Sequence, residues 1–452
     1  MAHALERHLA LVGFMGAGKS TLGPPLAERL GRSFVSVDAV VEERAGTSVS
    51  DLFETRGEAA FRELEEEATA DVLSRRPLAV VELGGGALAS ERTQTLLAEL
   101  TLTVHIEIEP DEAWDRVSGT GRPLARDPQA FRALYDERLT LYEAADASAR
   151  DLDSVLLAAA GVRFAHHDDA RGDAIVADGR VAELHDVPTS LVAGSKTAAE
   201  AERLWRALEL DRGSTLVALG GGTTTDVVGF VAATYMRGID WIAVPSTLVG
   251  QVDAAIGGKV GIDLPEGKNL VGAFHWPTAT VIDTTLLDTL PGEELQNGLA
   301  EVVKTGLLTG EPLWELDIVA QVRRCAAFKA AVCLRDPYEQ GERVNLNLGH
   351  TFAHALEAAS GYRVPHGHAV ALGLLAALRV SGLDDDARTV EDVLEATPVA
   401  VDREAAWAAL QRDKKTRGGE VRLVVLDAPG KPRLTSDIEP ERIREALDAL
   451  IA

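Results

Sequence analysis

HLALVGFMGAGKSTLGPPLAERL, residues 8–30, runs from an apolar stretch through a glycine turn into a helix-like stretch. Within it Gly13, Gly18, Lys19 and Ser20 fit the pattern G-x-x-x-x-G-K-[ST], with Gly16 inside the turn and Thr21 after it. Glycines let successive backbone N–H groups turn toward one point, and the following helix adds its positive end. A lysine at this position supplies a point charge for terminal phosphates, and the serine hydroxyl can ligate Mg²⁺. The stretch therefore predicts a strand, a phosphate-binding loop for a nucleoside triphosphate such as ATP, and a helix.

Working outward, short β-like runs (HLALVGF, PLAVVELGG, TVHIEIEP) alternate with helical stretches up to about Gly161. That alternation predicts a parallel sheet flanked by helices. Residues 161–197 are polar and weakly periodic and read as a junction with two or three short strands. A second α/β segment follows, with STLVALGGG and WIAVPSTL as strands. From about Thr289 apolar residues recur at three and four spacing, as in TFAHALEAAS and GHAVALGLLAALRVSGL, the mark of amphipathic helices. The expected boundaries are 1–160, 161–288 and 289–452: a phosphate-loop unit, a Rossmann-like α/β unit and an all-helical unit.

With 46% hydrophobic and 26% charged residues, the 452-residue chain reads as globular, and aromatics at 5% leave its cores to Ala, Val and Leu. The formal charge of −26, from 71 acidic and 45 basic residues, argues against nucleic acid and against an anionic membrane. Any anionic substrate must then be held by local clusters of Lys and Arg. The two cysteines, Cys325 and Cys333, lack a C-x-x-C spacing and are expected to carry no chemistry. MAHALERHLALVGFMG lacks the features of a signal peptide, and a cytoplasmic location is the expectation.

FVSVDAVVEE (34–43), GEAAFRELEEE (57–67), LGGGA (83–87), GTGRPLA (119–125) and RLTLYEAAD (138–146) follow the phosphate loop in that order. Together they resemble shikimate kinase. The resemblance implies that Asp38 assists the attacking hydroxyl and that Arg62 and Arg138 bind the shikimate carboxylate. It also implies that Gly84, Gly85 and Gly86 line the substrate, and that Arg122 reaches the transferring phosphate. This chain departs from the family at Ser36, where an acid usually supports the metal.

GHTFAHALE (349–357) sets His350 and His354 four apart on one helix face, and VPHGHAV adds His366 and His368. A local reading makes His350, His354 and His366 a three-histidine metal site. The wider context includes LVALGGGTTTDVVGFVAATYMRG (216–238), PSTLVGQVDAAIGGKVGID (245–263) and GKNLVGAFHWP (267–277). TLPGEELQNGLAEVVKTG (289–306), FKAAVCLRDPYEQGERVN (328–345) and RDKKTRGGEVRLVVL (412–426) complete it. In order and spacing these resemble 3-dehydroquinate synthase. That resemblance gives the ion, Zn²⁺ or another divalent ion such as Co²⁺, to Glu301, His350 and His366, and leaves His354 for proton handling. It implies NAD at Gly220, Gly221, Gly222, Asp226, Thr247 and Lys268. Around the substrate it sets Asp253, Lys259, Lys304, Lys329 and Arg343, with Arg237, Asn269, Asn347 and Lys414 among its contacts. His368 receives no role, and Ala193 stands where the family has Glu.

The fusion implies two activities. One is ATP-dependent phosphorylation of shikimate. The other converts 3-deoxy-D-arabino-heptulosonate 7-phosphate to 3-dehydroquinate, by transient oxidation, phosphate elimination, hydride return and ring closure. A homodimer through the synthase part is expected from the resemblance alone. Alternatives are a chain with one half reduced to a scaffold, a related sugar-phosphate cyclase, and a polyol dehydrogenase on the same fold. Lys329, Arg343 and Asn347 suit an acid-bearing substrate and argue against the last two.

Overall fold

The computed structural model describes residues 3–120, 124–416 and 421–452, the side chains of 413–416 excepted. Its contacts divide the chain into two units: Met1–Val162 with Ala330–Arg335, and Arg163–Lys329 with Asp336–Ala452.

The first unit is built on strands β1 (His8–Val12), β2 (Ser33–Ser36), β3 (Ala79–Glu82), β4 (Thr101–Ile106) and β5 (Ala147–Ala149). They form one sheet in the order β2-β3-β1-β4-β5, with every neighbouring pair parallel. Parallel strands need crossover helices on both faces, which is why β1 is buried along its whole length. The order reverses between β1 and β3, the position at which open α/β sheets hold ligands beyond their carboxyl ends. The phosphate loop leaves β1 there and opens helix Lys19–Leu30.

The second unit begins with β6 (Val162–Phe164), β7 (Ala174–Asp178), β8 (Leu191–Ala193), β9 (Thr215–Gly220) and β10 (Asp240–Pro245). A hairpin of β11 (Lys259–Leu264) and β12 (Gly267–Phe274) follows, then β13 (Ala279–Ile282). Six of these form the sheet β6-β13-β10-β9-β7-β8. The polar stretch expected to hold two or three short strands holds three, all of them in this sheet, and β7 lies inside it between β9 and β8. Its three strands are only three to five residues long, too short to show a periodicity.

Beyond β13 the chain is mainly helical. Helices Gly292–Thr309, His350–Ala359, His366–Ser381, Asp384–Leu394, Arg403–Thr416 and Pro440–Asp448 share one apolar core, dominated by Ala, Val and Leu. To these the structure adds an antiparallel hairpin, β14 (Leu423–Leu426) with β15 (Pro432–Thr435), so this part is not wholly helical.

Glycines set how closely three of these helices approach. A Cβ on Gly367 would fall 2.3 Å from the Asn297 backbone, and one on Gly373 would fall 2.2 Å from the Gly349 carbonyl oxygen. Helix His366–Ser381 thus lies in backbone contact with helix Gly292–Thr309 on one side and with the start of helix His350–Ala359 on the other. Gly367→Ala is expected to force these backbones apart, costing about 1–3 kcal/mol of stability. Thermal unfolding should shift down and bound divalent metal should fall, with phosphorylation unchanged.

Candidate functional site

In the first unit the loop's geometry follows from its glycines. Gly13, Gly16 and Gly18 have φ of 142°, 83° and 92°, and a Cβ on Gly13 would lie 2.6 Å from the Ile106 carbonyl oxygen. Lys19, largely buried, donates from Nζ to the carbonyls of Gly13 (2.7 Å) and Phe14 (3.2 Å). Thr21 is exposed, and its N–H donates to the Gly18 carbonyl. Ser20 Oγ donates to Glu82 Oε1 at 2.6 Å. Glu82 ends β3 and was not singled out from the sequence, although an acid at a strand's carboxyl end just before a glycine triplet was a readable signal.

Asp38 sits in the first turn of helix Val37–Ala45. Its Oδ1 and the Oε1 of Glu65 are buried and have no hydrogen-bond partner among the described residues. Both point at Gly84, where a Cβ would lie 2.9 Å from the first and 2.3 Å from the second. Burial raises the pKa of both carboxyls, with Lys19 opposing it at Asp38 and Arg62 at Glu65. Unpaired buried acceptors of this kind suit a ligand that brings hydroxyl donors.

Arg62 pairs with Glu65 Oε2 (2.6 Å) and Glu58 Oε1 (3.0 Å), and its guanidinium fills the space a Cβ on Gly86 would need. Arg138 donates to the Gly85 carbonyl at 3.1 Å. The Tyr142 hydroxyl donates to the same oxygen, and burial pushes its pKa up to about 12. The unit therefore brings Lys19, Ser20, Asp38, Arg62 and Arg138 around the glycine triplet. Arg122 lies outside the described residues.

In the second unit the turn after β9 packs against two partners. A Cβ on Gly221 would meet Thr247 Cγ2 at 3.0 Å and one on Gly222 would meet Ala254 Cβ at 3.3 Å, while Gly220 abuts Thr224. Asp226 follows in helix Gly222–Thr234, its pKa raised by burial against the pull of Lys196, whose Nζ is 2.9 Å away. The same Nζ donates to Asn269 Oδ1 at 2.6 Å, and Asn269 holds a left-handed φ of 56°. Lys196, an anchor for two of the expected residues, was not among them.

Asp253 lies in a π-helical turn, Gly250–Ala254. It accepts from Lys329 and lies 3.9 Å from Lys304 Nζ; burial would raise its pKa, but the two lysines hold it below the usual carboxylate range. Lys259 pairs with Glu339 at 2.7 Å, and Asn347 donates to the same carboxylate at 3.2 Å. Burial lowers the pKa of Lys259, with Arg343 and Lys329 adding to that. Arg343, 2% exposed, donates to the carbonyls of Pro337 and Gly257, both at 2.8 Å. Arg237 is exposed on a left-handed turn, with no site group in hydrogen-bond range among the described residues. The side chain of Lys414 lies outside them.

Glu301 is fully buried on helix Gly292–Thr309. Its Oε1 is 3.2 Å from His366 Nε2 and 3.5 Å from His350 Nε2, and the three donor atoms lie within 4.8 Å of one another. His354 is outside that set. It lies edge-on to His350, with ring centroids 5.5 Å apart. Although one edge is open, loss of water around the ring and repulsion from His350 hold its pKa down to about 4, leaving it neutral. His368 is turned to the Thr397 carbonyl at 2.7 Å and takes no part.

Two further groups complete the centre. Lys304 Nζ pairs with Glu301 Oε2 at 2.5 Å. Buried Glu357 accepts from Lys268 at 3.0 Å and lies 3.4 Å from His366 Nδ1. Burial would lower His366, but Glu301 and Glu357 raise it to about 9. Burial would raise Glu357, but His366 and Lys268 hold it at about 2. Glu301 stays well below its usual value because Lys304, His350 and His366 outweigh its burial. The centre thus favours positive charge. Two imidazoles and one carboxylate, with the second nitrogen of His366 held by a carboxylate, fit a divalent ion that keeps open positions. Cys325 is near this charge but inert, its thiol pushed up to about 12 by burial.

Residues 15–156 match the shikimate kinase family, 183–297 the 3-dehydroquinate synthase N-terminal family and 298–416 its C-terminal family. The 3-dehydroquinate synthase of Pseudomonas putida is 40% identical over 329 residues, 63% of this chain and 90% of the relative. That of Symbiobacterium thermophilum is 44% identical over 271 residues, 54% of this chain and 75% of the relative. Among solved structures, 2-deoxy-scyllo-inosose synthase with carbaglucose-6-phosphate, NAD⁺ and Co²⁺ superposes with TM-score 0.54 at 25% identity, over 60% of this chain and 89% of that one. The 2-epi-5-epi-valiolone synthase of Streptomyces hygroscopicus, with NAD⁺ and Zn²⁺, gives 0.52 at 25% identity, over 65% and 91%. The chain belongs to the 3-dehydroquinate synthase family and carries a shikimate kinase domain on the same polypeptide.

Proposed function

We propose that the two units work as separate active sites, the first phosphorylating shikimate with ATP and the second cyclising the heptulosonate phosphate to 3-dehydroquinate. The observation that carries the second assignment is Glu301 meeting His350 and His366 at 3.2–3.5 Å, with Lys304 paired to its other oxygen. Identity of 40–44% to 3-dehydroquinate synthases, against 25% to the two other cyclases, favours this substrate over a sugar phosphate that lacks a carboxylate.

In the kinase, Lys19 and the loop amides bind the terminal phosphates, and Asp38 accepts from the hydroxyl that attacks. Arg62 and Arg138 grip the carboxylate, for which planar guanidinium groups are suited. Mg²⁺, when bound with the nucleotide, neutralises charge on the transferred phosphoryl group. Ser20 would hold it, and we assign the supporting acid to Glu82, which takes over from the acid missing at Ser36. Glu82→Gln is expected to raise the Mg²⁺ concentration needed for half-maximal phosphorylation about tenfold or more, and to weaken Mg²⁺-dependent ADP binding in calorimetry. Unchanged Mg²⁺ dependence in both would remove Glu82 from this role.

In the synthase, Glu301, His350 and His366 would hold the divalent ion, with Glu357 orienting His366. The Gly220–Gly222 turn, Asp226, Thr247 and Lys268 would hold NAD. When bound, the ion supplies Lewis-acid polarisation of substrate oxygens, and NAD a reversible hydride acceptor. Lys259, Lys329 and Arg343, with Arg237 and Lys414, neutralise the substrate's carboxylate and phosphate. Asn269 and Asn347 orient it. Asp253 fixes Lys304 and Lys329 toward one another, and neutral His354 is able to take a proton. The domain limits stay at 1–160, 161–288 and 289–452, and the assembly at a homodimer through the synthase part. Among the described residues no helix is long and apolar enough to cross a membrane.

Paired assays on the purified chain test the reading. Phosphorylation should require ATP and Mg²⁺, and cyclisation should require NAD and disappear with a chelator of transition metals. Absence of either activity under those conditions would reduce that half to a scaffold.

A further inference from the structure

A second group of ligand-type side chains lies in the loop after β6. His166, His167 and Asp168 each offer one donor atom, and these lie within 4.8 Å of one another. His166 Nδ1 is 3.3 Å from Asp168 Oδ2, and His167 Nε2 is 3.7 Å from Asp168 Oδ1. Metal–nitrogen bonds of about 2.0–2.1 Å put tetrahedral ligands about 3.4 Å apart, so both edges are near the required length.

The independent observation is Asp283. Its carboxylate is 4% exposed and accepts from the Thr285 N–H (3.0 Å), the Thr285 hydroxyl (2.6 Å) and the His167 N–H (2.9 Å), with His167 Nδ1 at 2.8 Å. A carboxylate oxygen accepting at Nδ1 selects the tautomer that leaves Nε2 as a bare lone pair, here facing Asp168. The His167 side chain is only 8% exposed, and the His166 ring lies against it at 4.2 Å. Its orientation is therefore set before any ligand arrives. Ordinary capping explains little of this: the Asp168 N–H reaches His166 Nδ1 only at 3.4 Å. Of the other neighbours, His185 is engaged by Thr289 at 2.9 Å, and the Arg163 guanidinium donates to the Asp169 carbonyl.

We propose that His166, His167 and Asp168 form a second divalent-cation site, with Asp283 as the residue that orients His167, distinct from the Glu301 centre. Two imidazoles and a carboxylate suit a borderline ion such as Zn²⁺ or Co²⁺ better than Mg²⁺ or Ca²⁺. His166 and Asp168 are more than half exposed, so the ion would exchange with solvent and bind less tightly than at Glu301.

The test is titration of the metal-free full chain with Zn²⁺ alone, followed by metal analysis at buffered free Zn²⁺. Two equivalents per chain are expected, one tight and one weaker. His166→Ala, a change at an exposed side chain, should weaken the second equivalent at least about tenfold, leaving the tight one and cyclisation unchanged. His350→Ala should do the converse. A single equivalent in the parent chain, or a second equivalent of unaltered affinity in His166→Ala, would overturn the proposal. Survival of the tight equivalent in His350→Ala would instead count against the Glu301 centre and leave this one standing.

Discussion

His350→Ala is expected to cost the chain its tightly held divalent ion and its cyclisation activity together, while shikimate is phosphorylated at the parent rate. His350 and His366 approach the same oxygen of Glu301, and no other imidazole belongs to that group among the described residues. Removing one of three ligands leaves an incomplete set around a fully buried carboxylate. The loss in metal affinity should exceed the about 10–100-fold that follows from removing an outer partner such as Glu357. Metal analysis of the purified variant and the two assays side by side measure it. Full occupancy with lost activity would move His350 from ligand to proton carrier.

Lys19→Ala is the mirror experiment. Lys19 is the only lysine of the phosphate loop, and its Nζ is held on the loop carbonyls of Gly13 and Phe14. Loss of a preorganised cation at the point where charge develops costs about 10²–10³ in rate, and phosphorylation should fall at least that far. Cyclisation should be untouched, because every residue assigned to it comes from the second unit. Loss of both activities would mean that the two halves do not fold or act independently.

The phosphate loop was fully legible in the sequence, since its function depends on backbone spacing that an eight-residue pattern records. The metal centre was not legible locally. His350 and His354 share a helix face and pointed to three histidines, whereas the residue that joins His350 and His366 is Glu301 from a distant helix, through close approaches at Gly367 and Gly373. Only the resemblance supplied that residue. Carboxylates that act by holding a distant side chain escaped notice for the same reason. Glu82, Glu339 and Glu357 acquire their meaning from partners 62, 80 and 89 positions away. The short strands β6, β7 and β8 were expected between 161 and 197, but not their places in the sheet, because strands this short gain stability from their neighbours and carry little pattern of their own.

The most direct measurement is X-ray absorption at the zinc edge on the His166→Ala chain loaded with one equivalent of Zn²⁺. Two imidazole nitrogens and oxygen ligands at about 2.0–2.2 Å are expected, with one imidazole lost in His366→Ala. A spectrum requiring three imidazoles, unchanged when Glu301 is replaced by Gln, would contradict the Glu301–His350–His366 centre.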